Sequence, residues 1–185
     1  NNIDNFFFTA KMYNATLLND SARLSFDSLS LTSYIEAGNK ILKIETNEME
    51  GNITGRFKIL ELPGAFNVFL NRYYPSYFNK PAYDIGDQDF SFYIKTKQVD
   101  EYVRLLDNRL KGFDNSVFSG TLKMAKNEFN LKAIVPEFVF DGKKFENIDL
   151  AATGNLDSLN TNISVSEIAI SDSLRFPNTK LVFSS

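Results

Sequence analysis

Carboxylates are the side chains of this sequence whose type and spacing could do chemistry. Glu48 and Glu50 stand two apart, so on one strand they would share a face. Paired carboxyls of that sort carry glycoside hydrolysis, one as acid and the other as base or nucleophile. A second group, Asp84-Ile-Gly-Asp-Gln-Asp89, has a spacing loosely like a calcium loop, without the terminal Glu or the loop length. Both groups sit beside turn-forming residues, where acids are ordinarily solvated. Histidine and cysteine are absent, which removes the commonest general base, the commonest zinc ligand and every thiolate or disulfide. There is no Gly-x-x-x-x-Gly-Lys loop and no nucleophile elbow. The residues therefore describe a non-enzymatic chain, with no catalytic set, no metal and no cofactor expected.

Charge is equally unspecific. Lys plus Arg number 20 and Asp plus Glu 23, a net charge of -3 over 185 residues, so no global field draws the chain to nucleic acid or to an anionic membrane. Lys123, Lys126, Lys132, Lys143 and Lys144 are interleaved with Glu128, Glu137 and Asp141, unlike the basic groove that single-stranded nucleic acid requires. Asn-x-Ser/Thr sequons at Asn14, Asn19, Asn52 and Asn162 matter only in a glycosylating secretory pathway. No apolar run is long enough for a membrane-spanning helix, and the start has no signal-peptide core. The first residues, Asn-Asn, and the strand-like end Leu181-Val-Phe-Ser-Ser185 suggest a piece of a longer protein.

What stands out is apolar patterning. There are 18 Phe and 8 Tyr without a Trp, and they alternate with polar residues as strands do. Phe6–Leu17 alternates with apolar residues on both faces, Asn19-Asp20 signals a turn, and Ala22–Phe26 marks one strand and Leu29–Ile35 another, joined through a bulge at Asp27-Ser28. Ala37-Gly38-Asn39 turns the chain into Ile41–Thr46. Met49–Leu60 carries Met49, Gly51, Ile53, Gly55, Phe57 and Ile59 on one face, and its glycines suggest a bend or a close backbone approach. The period then changes. Leu62, Phe66, Phe69, Leu70 and Tyr73 make a helical stripe opened by Pro63 and ended by Pro75, a helix over about 62–74. Phe90, Phe92 and Ile94 restore a strand. Val99, Tyr102, Val103, Leu106 and Leu110 predict a second helix over about 98–110, closed by Gly112. Phe118–Met124 and Phe129–Val135 are strands, with Pro136 at an edge or at the start of the next one.

The last third repeats itself. Glu137-Phe-Val-Phe-Asp-Gly-Lys-Lys-Phe-Glu-Asn-Ile-Asp-Leu150 returns as Glu167-Ile-Ala-Ile-Ser-Asp-Ser-Leu-Arg-Phe-Pro-Asn-Thr-Lys-Leu181 with one inserted residue. A strand-turn-strand unit that recurs describes a sheet growing by addition. The expected fold is mostly β, an antiparallel meander of about ten strands curled into a taco-like open groove or half-barrel with two short helices. Residues 1–61 supply strands, 62–112 a helix-strand-helix insertion and 113–185 repeat-like strands, in one β-rich unit.

Two stretches carry a resemblance. Gly51-Asn-Ile-Thr-Gly-Arg-Phe-Lys-Ile-Leu-Glu-Leu-Pro-Gly-Ala-Phe, running on to Tyr73-Tyr-Pro-Ser-Tyr-Phe78, and Phe138-Val-Phe-Asp-Gly-Lys-Lys-Phe-Glu-Asn-Ile-Asp-Leu-Ala-Ala-Thr-Gly154 resemble phrases of the TamB group of AsmA-like envelope proteins of Gram-negative bacteria. The resemblance implies a periplasmic segment of a protein anchored in the inner membrane or associated with the outer one. It also implies phospholipid passage along an apolar β-groove, outer-membrane protein assembly, and an Omp85-type barrel as partner of the full-length protein. On that reading the partners are phospholipid acyl chains, not nucleic acid, and the open edges invite self-association of the fragment. The groove residues are Phe57, Ile59, Phe90, Phe92, Leu122, Met124, Leu131, Ala133, Leu150, Ala152, Ile168 and Ile170. Two alternatives stand beside it, a chaperone-like module that accepts client strands by β-augmentation and a secreted structural or adhesion domain with a closed core. Core and lipid groove ask for the same residues. The groove reading further requires Phe138, Phe140 and Leu150 to share a surface with Ile168, Ile170 and Leu181.

Overall fold

The computed structural model describes residues 7–19 and 22–185. Along the chain run β1 (Phe8–Asn19), β2 (Ala22–Glu36), β3 (Asn39–Thr46), β4 (Met49–Arg56), α1 (Leu62–Leu70), β5 (Asp89–Thr96), α2 (Asp100–Leu106), β6 (Leu110–Gly112), β7 (Val117–Lys123), β8 (Glu128–Phe140), β9 (Lys143–Gly154), β10 (Leu159–Ala169) and β11 (Arg175–Ser184). One antiparallel sheet holds them in the order β1-β2-β3-β4-β5-β7-β8-β9-β10-β11, with β6 paired to the far end of β8. It is a meander that does not close into a barrel. Ala37-Gly38 and Asp141-Gly142 turn their hairpins with both residues at positive φ, the two-residue geometry that suits the twist of the flanking strands. The turn expected at Asn19-Asp20 and the lead residue Phe6 fall at or beyond the limits of the described residues.

Directly paired residues share a face, and the registers run one apolar face through the whole sheet. Leu31, Ile44, Gly51, Ile94, Phe118, Ala133, Leu150, Ile163 and Leu181 stand in a single cross-strand row. A parallel row runs through Leu42, Ile53, Phe92, Gly120, Leu131 and Ala152. The helix α1 lies on this face. Phe66 meets the rings of Phe90, Phe92 and Phe129 edge-on at 5.7, 5.8 and 6.4 Å. Phe69 lies so close to Gly154 that a Cβ there would come within 2.7 Å of its ring. The cluster around α1 reaches from Leu31 on β2 to Leu159 on β10. On a flat sheet those strands would be roughly 30 Å apart, while a nine-residue helix is only about 13 Å long. The sheet curls about its helix.

Gln88 is fully buried and holds the chain on its way back from α1. Its side-chain carbonyl accepts from the Lys58 backbone N–H at 2.9 Å, and its amide donates to Glu61 Oε2 at 3.1 Å. Gly55 has φ +142, and a Cβ there would stand 2.2 Å from the Asp89 carbonyl oxygen, the close backbone approach expected from this glycine.

Several boundaries differ from the sequence reading. The first helix stops at Leu70 rather than 74, followed by turns tied to the Leu70 and Tyr74 carbonyls. The second covers Asp100–Leu106, not 98–110. Asp107 ends it in an extended conformation, its carboxylate accepting from the Arg109 backbone N–H and guanidinium, a local alternative to another helical turn. Leu110 then belongs to β6, opposite Phe140, instead of to a helical stripe. Met124 falls in a 3-10 turn after β7. Pro136 lies inside β8, not at a strand start.

Pro136 marks the least expected feature of the sheet. It stands opposite Asn147, between the pairs Val135↔Ile148 and Glu137↔Glu146. Asn147 stands opposite Ser166 and Ser166 opposite Asn178. On the other side, the Asn115 N–H donates to the Lys97 carbonyl and the Lys97 N–H to the Glu48 carbonyl, and Asn14 stands opposite Asp27 at the far edge. Asn14, Asn115, Asn147 and Asn178 all have φ near +50°, whereas Asp27, Lys97, Pro136 and Ser166 do not. Asparagine tolerates that region through its short polar side chain. The result is a crease across the sheet at which side-chain alternation reverses. Val135 and Phe138, Ile148 and Phe145, and Val165 and Ile168 are each three apart, yet all pack into one cluster.

Candidate functional site

The apolar face has two regions. In the first, α1 covers Phe57, Phe90, Leu122 and Ala152, which are buried, and Ile59, Phe92, Met124, Leu131 and Leu150 pack against them. Nine of the twelve expected groove residues thus lie together under a helix rather than along an open trough. Ala133 is buried in the second region, with Ile168 packed against its cluster. Ile170 lies beyond the end of β10, in a turn closed by its own N–H to the Leu174 carbonyl, and is exposed. Phe138 and Ile168 share the inner face, as do Leu150 and Leu181, which pair through Ile163. Phe140 pairs with Leu110, whose side chain also points inward.

The second region is where the face remains accessible. Between α2 and the sheet lies a hollow of about 450 Å³, lined by Met49, Thr96, Val99, Tyr102, Val103, Leu110, Phe113 and Phe118. That is within the range of about 300–1,000 Å³ occupied by small-molecule sites. Its helix wall is fixed at the N-terminal end of α2 by two backbone N–H groups held on carboxylates. Val99 N–H donates to Asp114 Oδ1 at 2.7 Å, and Gly112 N–H donates to Asp100. From the hollow an aromatic floor runs outward. Phe113 stacks on Phe138 at 5.3 Å, and Phe138 on Phe145 at 4.5 Å with an interplanar angle of 7°. Across Ile168 it meets Phe176 on β11, which is exposed, and Leu181 and Phe183 are exposed farther along the same strand. Sequence reasoning placed Val99, Tyr102 and Val103 on an apolar helix stripe but assigned them no part in a site. Phe113 is paired with no expected element at all, and φ +67 turns it onto the inner face.

One polar pair borders the hollow. The Tyr102 hydroxyl and the Glu48 carboxylate meet out of reach of solvent. Burial first, then the Glu48 carboxylate, pushes the Tyr102 hydroxyl well above the ordinary tyrosine range. This separates the two acids that sequence spacing put on one strand face. Glu48 sits on the crease and turns in toward α2, while Glu50 pairs with Glu45 and Lys95 on the outer face. A two-carboxylate catalytic centre is not assembled. Asp87 accepts from the Ala125 backbone N–H at 3.1 Å and lies 3.8 Å from Arg56, with no cluster able to hold a metal ion among the described residues.

The outer face is polar and laced with ion pairs. Glu137 and Glu146 face each other directly, a repulsive arrangement relieved by Lys144, which bonds both at 2.7 and 2.6 Å. Those two contacts raise the lysine above its usual range. No helix of the described residues is long and apolar enough to cross a membrane. No protein-family model, curated protein or solved structure matches the chain.

Proposed function

We propose that the chain is a non-enzymatic lipid-handling segment of a TamB-like, AsmA-like envelope protein, in which acyl chains lie against the part of the apolar face that α1 leaves uncovered. The observation that carries this reading is the continuity of the apolar hollow beneath α2 with the aromatic floor Phe113–Phe138–Phe145 and, across Ile168, the exposed Phe176 on β11. Each methylene moved from water onto such a surface gains about 0.8 kcal/mol. An apolar lining with few polar groups gives a chain no fixed stopping point. The α1 region plays a different part, as the packed core that holds the sheet in its curl.

The reading is tested by placing a photo-crosslinking side chain at Ile168 or Phe183, on the accessible face, and at Lys132, on the outer face. The protein is irradiated with vesicles of phosphatidylethanolamine and phosphatidylglycerol. Lipid adducts are expected at the first two positions and not at the third, and Phe176→Asp, opposite Ile168, should suppress the adduct there. Equal labelling at all three positions, or none, would remove the basis for the lipid reading. Adducts with unfolded outer-membrane proteins in place of lipid would favour the chaperone alternative.

A further inference from the structure

The crease divides the sheet unequally, and on the side that carries α2 three strand positions are missing. β3 and β4 turn back at Asn47 and Glu48, and β5 gives way after Thr96 to the segment that forms α2. β2 runs on through residues 22–27, with β1 as its partner there in the described sheet. β6 takes the place of β7 beside β8. Along the sheet, β2 and β6 are therefore four strand spacings apart, roughly 19 Å. The opening has a firm rim. Asn47 donates to Asp27 Oδ2 and accepts from the Ser28 hydroxyl, both at 3.0 Å, and the Lys97 N–H donates to the Glu48 carbonyl at 2.7 Å.

α2 stands in this opening and touches both β6 and β2. Its seven residues make a helix about 10–12 Å across with its side chains, too slender to fill the gap. The hollow is the space left over, and its lining starts at the rim with Met49 and Thr96. Val99, Tyr102 and Val103 face it, while Glu101 and Arg104 are exposed. The two flanks of the helix are held differently. Toward β6, Asp100 accepts from the Gly112 N–H and Asp114 from the Val99 N–H, so the N-terminal end is tied. Toward β2 the seam has no backbone ladder. A helix points its N–H and C=O groups along its own axis, away from those that a strand edge turns sideways. The edge groups of β2 are left to water and side chains. The body of α2 is held to the rim by the Tyr102 hydroxyl against the Glu48 carboxylate.

We propose that α2 is a gate in the side of the sheet, turning on its tied end beside β6 and parting from β2, and that an acyl chain enters and leaves the hollow through it. The proposal rests on the lipid reading above and adds the route. A chain entering there reaches the hollow directly, without travelling over the stacked rings of Phe113, Phe138 and Phe145. The frame needs no rearrangement, because its rim and the pairing of β6 with β8 are bonded independently of the body of α2. Opening breaks one buried polar pair and uncovers the apolar side of a helix of about two turns. Glu48 is then a positioning residue, outside the lining of the hollow, that keeps the gate shut through Tyr102.

The test uses the whole chain and cis-parinaric acid, a fluorescent fatty acid, with entry and displacement followed by stopped flow. Amide hydrogen exchange without the fatty acid reads the gate by itself. The Val103 and Asp107 amides, bonded to the Val99 and Val103 carbonyls, should exchange about tenfold faster or more than the β8 amides opposite β6. Glu48→Ala should speed that exchange further and raise the on- and off-rates of the fatty acid by about the same factor, leaving Kd nearly unchanged. Glu48→Gln, which keeps an acceptor for the Tyr102 hydroxyl, should stay close to the parent. The gate is overturned if α2 exchanges only in step with β8. It is overturned as well if Glu48→Ala leaves either α2 exchange or the fatty-acid rates at the parent's values. The exchange comparison in the parent stands whether or not the variant folds. A parent that takes up no fatty acid removes the lipid reading instead, and that comparison then decides the gate alone.

Discussion

At the scale of single residues, the chemistry of this chain is that of burial rather than of reaction. Tyr102 shows it most clearly. Its hydroxyl is held against Glu48 beneath α2, and burial and the carboxylate both oppose its ionisation. A group whose folded value is raised contributes stability that is fully present below its unfolded value of 10.0 and is lost as pH rises toward the folded one. Tyr73 is shifted the same way, mainly by burial. Spectrophotometric titration of the intact protein should show a late component from Tyr102, delayed until the fold opens. Tyr102→Phe should delete that component. A difference titration between the two proteins with no late component would contradict the buried placement. Asp107 behaves oppositely. Its hydrogen bonds from Arg109 lower it to about 2, so its contribution is present above its ordinary value and fades only as pH falls through the folded one.

At the scale of elements, the crease decides which side chains meet. Asn147 at φ +47 should tolerate glycine, with a small loss from its hydrogen bond to Ser166. Asn147→Val forces a β-branched residue into the left-handed region and should cost about 1–2 kcal/mol more in chemical denaturation. If the valine and glycine variants prove equally stable, Asn147 does not hold that conformation. Much of the sheet was legible in the sequence because alternation fixes a face locally. Phe90-x-Phe92-x-Ile94 and Phe129-x-Leu131-x-Ala133 lie as expected. The repeat was legible too, and its inserted residue is absorbed in the longer turn between Ala169 and Arg175. The crease was legible only as a bulge at Asp27-Ser28 on β2, because its other residues, among them Asn, Ser and Pro, are those that ordinarily announce a turn. The available signal was spacing, since an apolar pair three apart recurs as Val135/Phe138 and Val165/Ile168. The end of α2 was missed because Leu110 continues a helical period that an Asp107 side chain interrupts.

At the scale of the whole molecule, a nine-residue helix organises strands that are distant in sequence. Nine of the twelve candidate groove residues lie in one cluster, but a sequence cannot say which part of an apolar face another element covers. Here α1 takes most of it, so a charge at Leu131 would test the core, and one at Leu181 the accessible surface. Phe66 touches rings from β5 and β8 at once. Phe66→Ala should destabilise the protein by about 3 kcal/mol or more. Amide protection should be lost together in β4, β5 and β7–β9, not in one hairpin. Loss confined to β5 would show that the curl does not depend on the helix.

The meander has a mechanical corollary. Its first and last strands lie at opposite edges of the sheet, so a pull applied between them loads the backbone hydrogen bonds in succession rather than all at once in shear. β1 and β11 would peel away at low force, hairpin by hairpin. Resistance would climb only when the tear reached the strands gripped by Phe66 and Phe69, leaving the helix-bound centre as the last part to yield under tension.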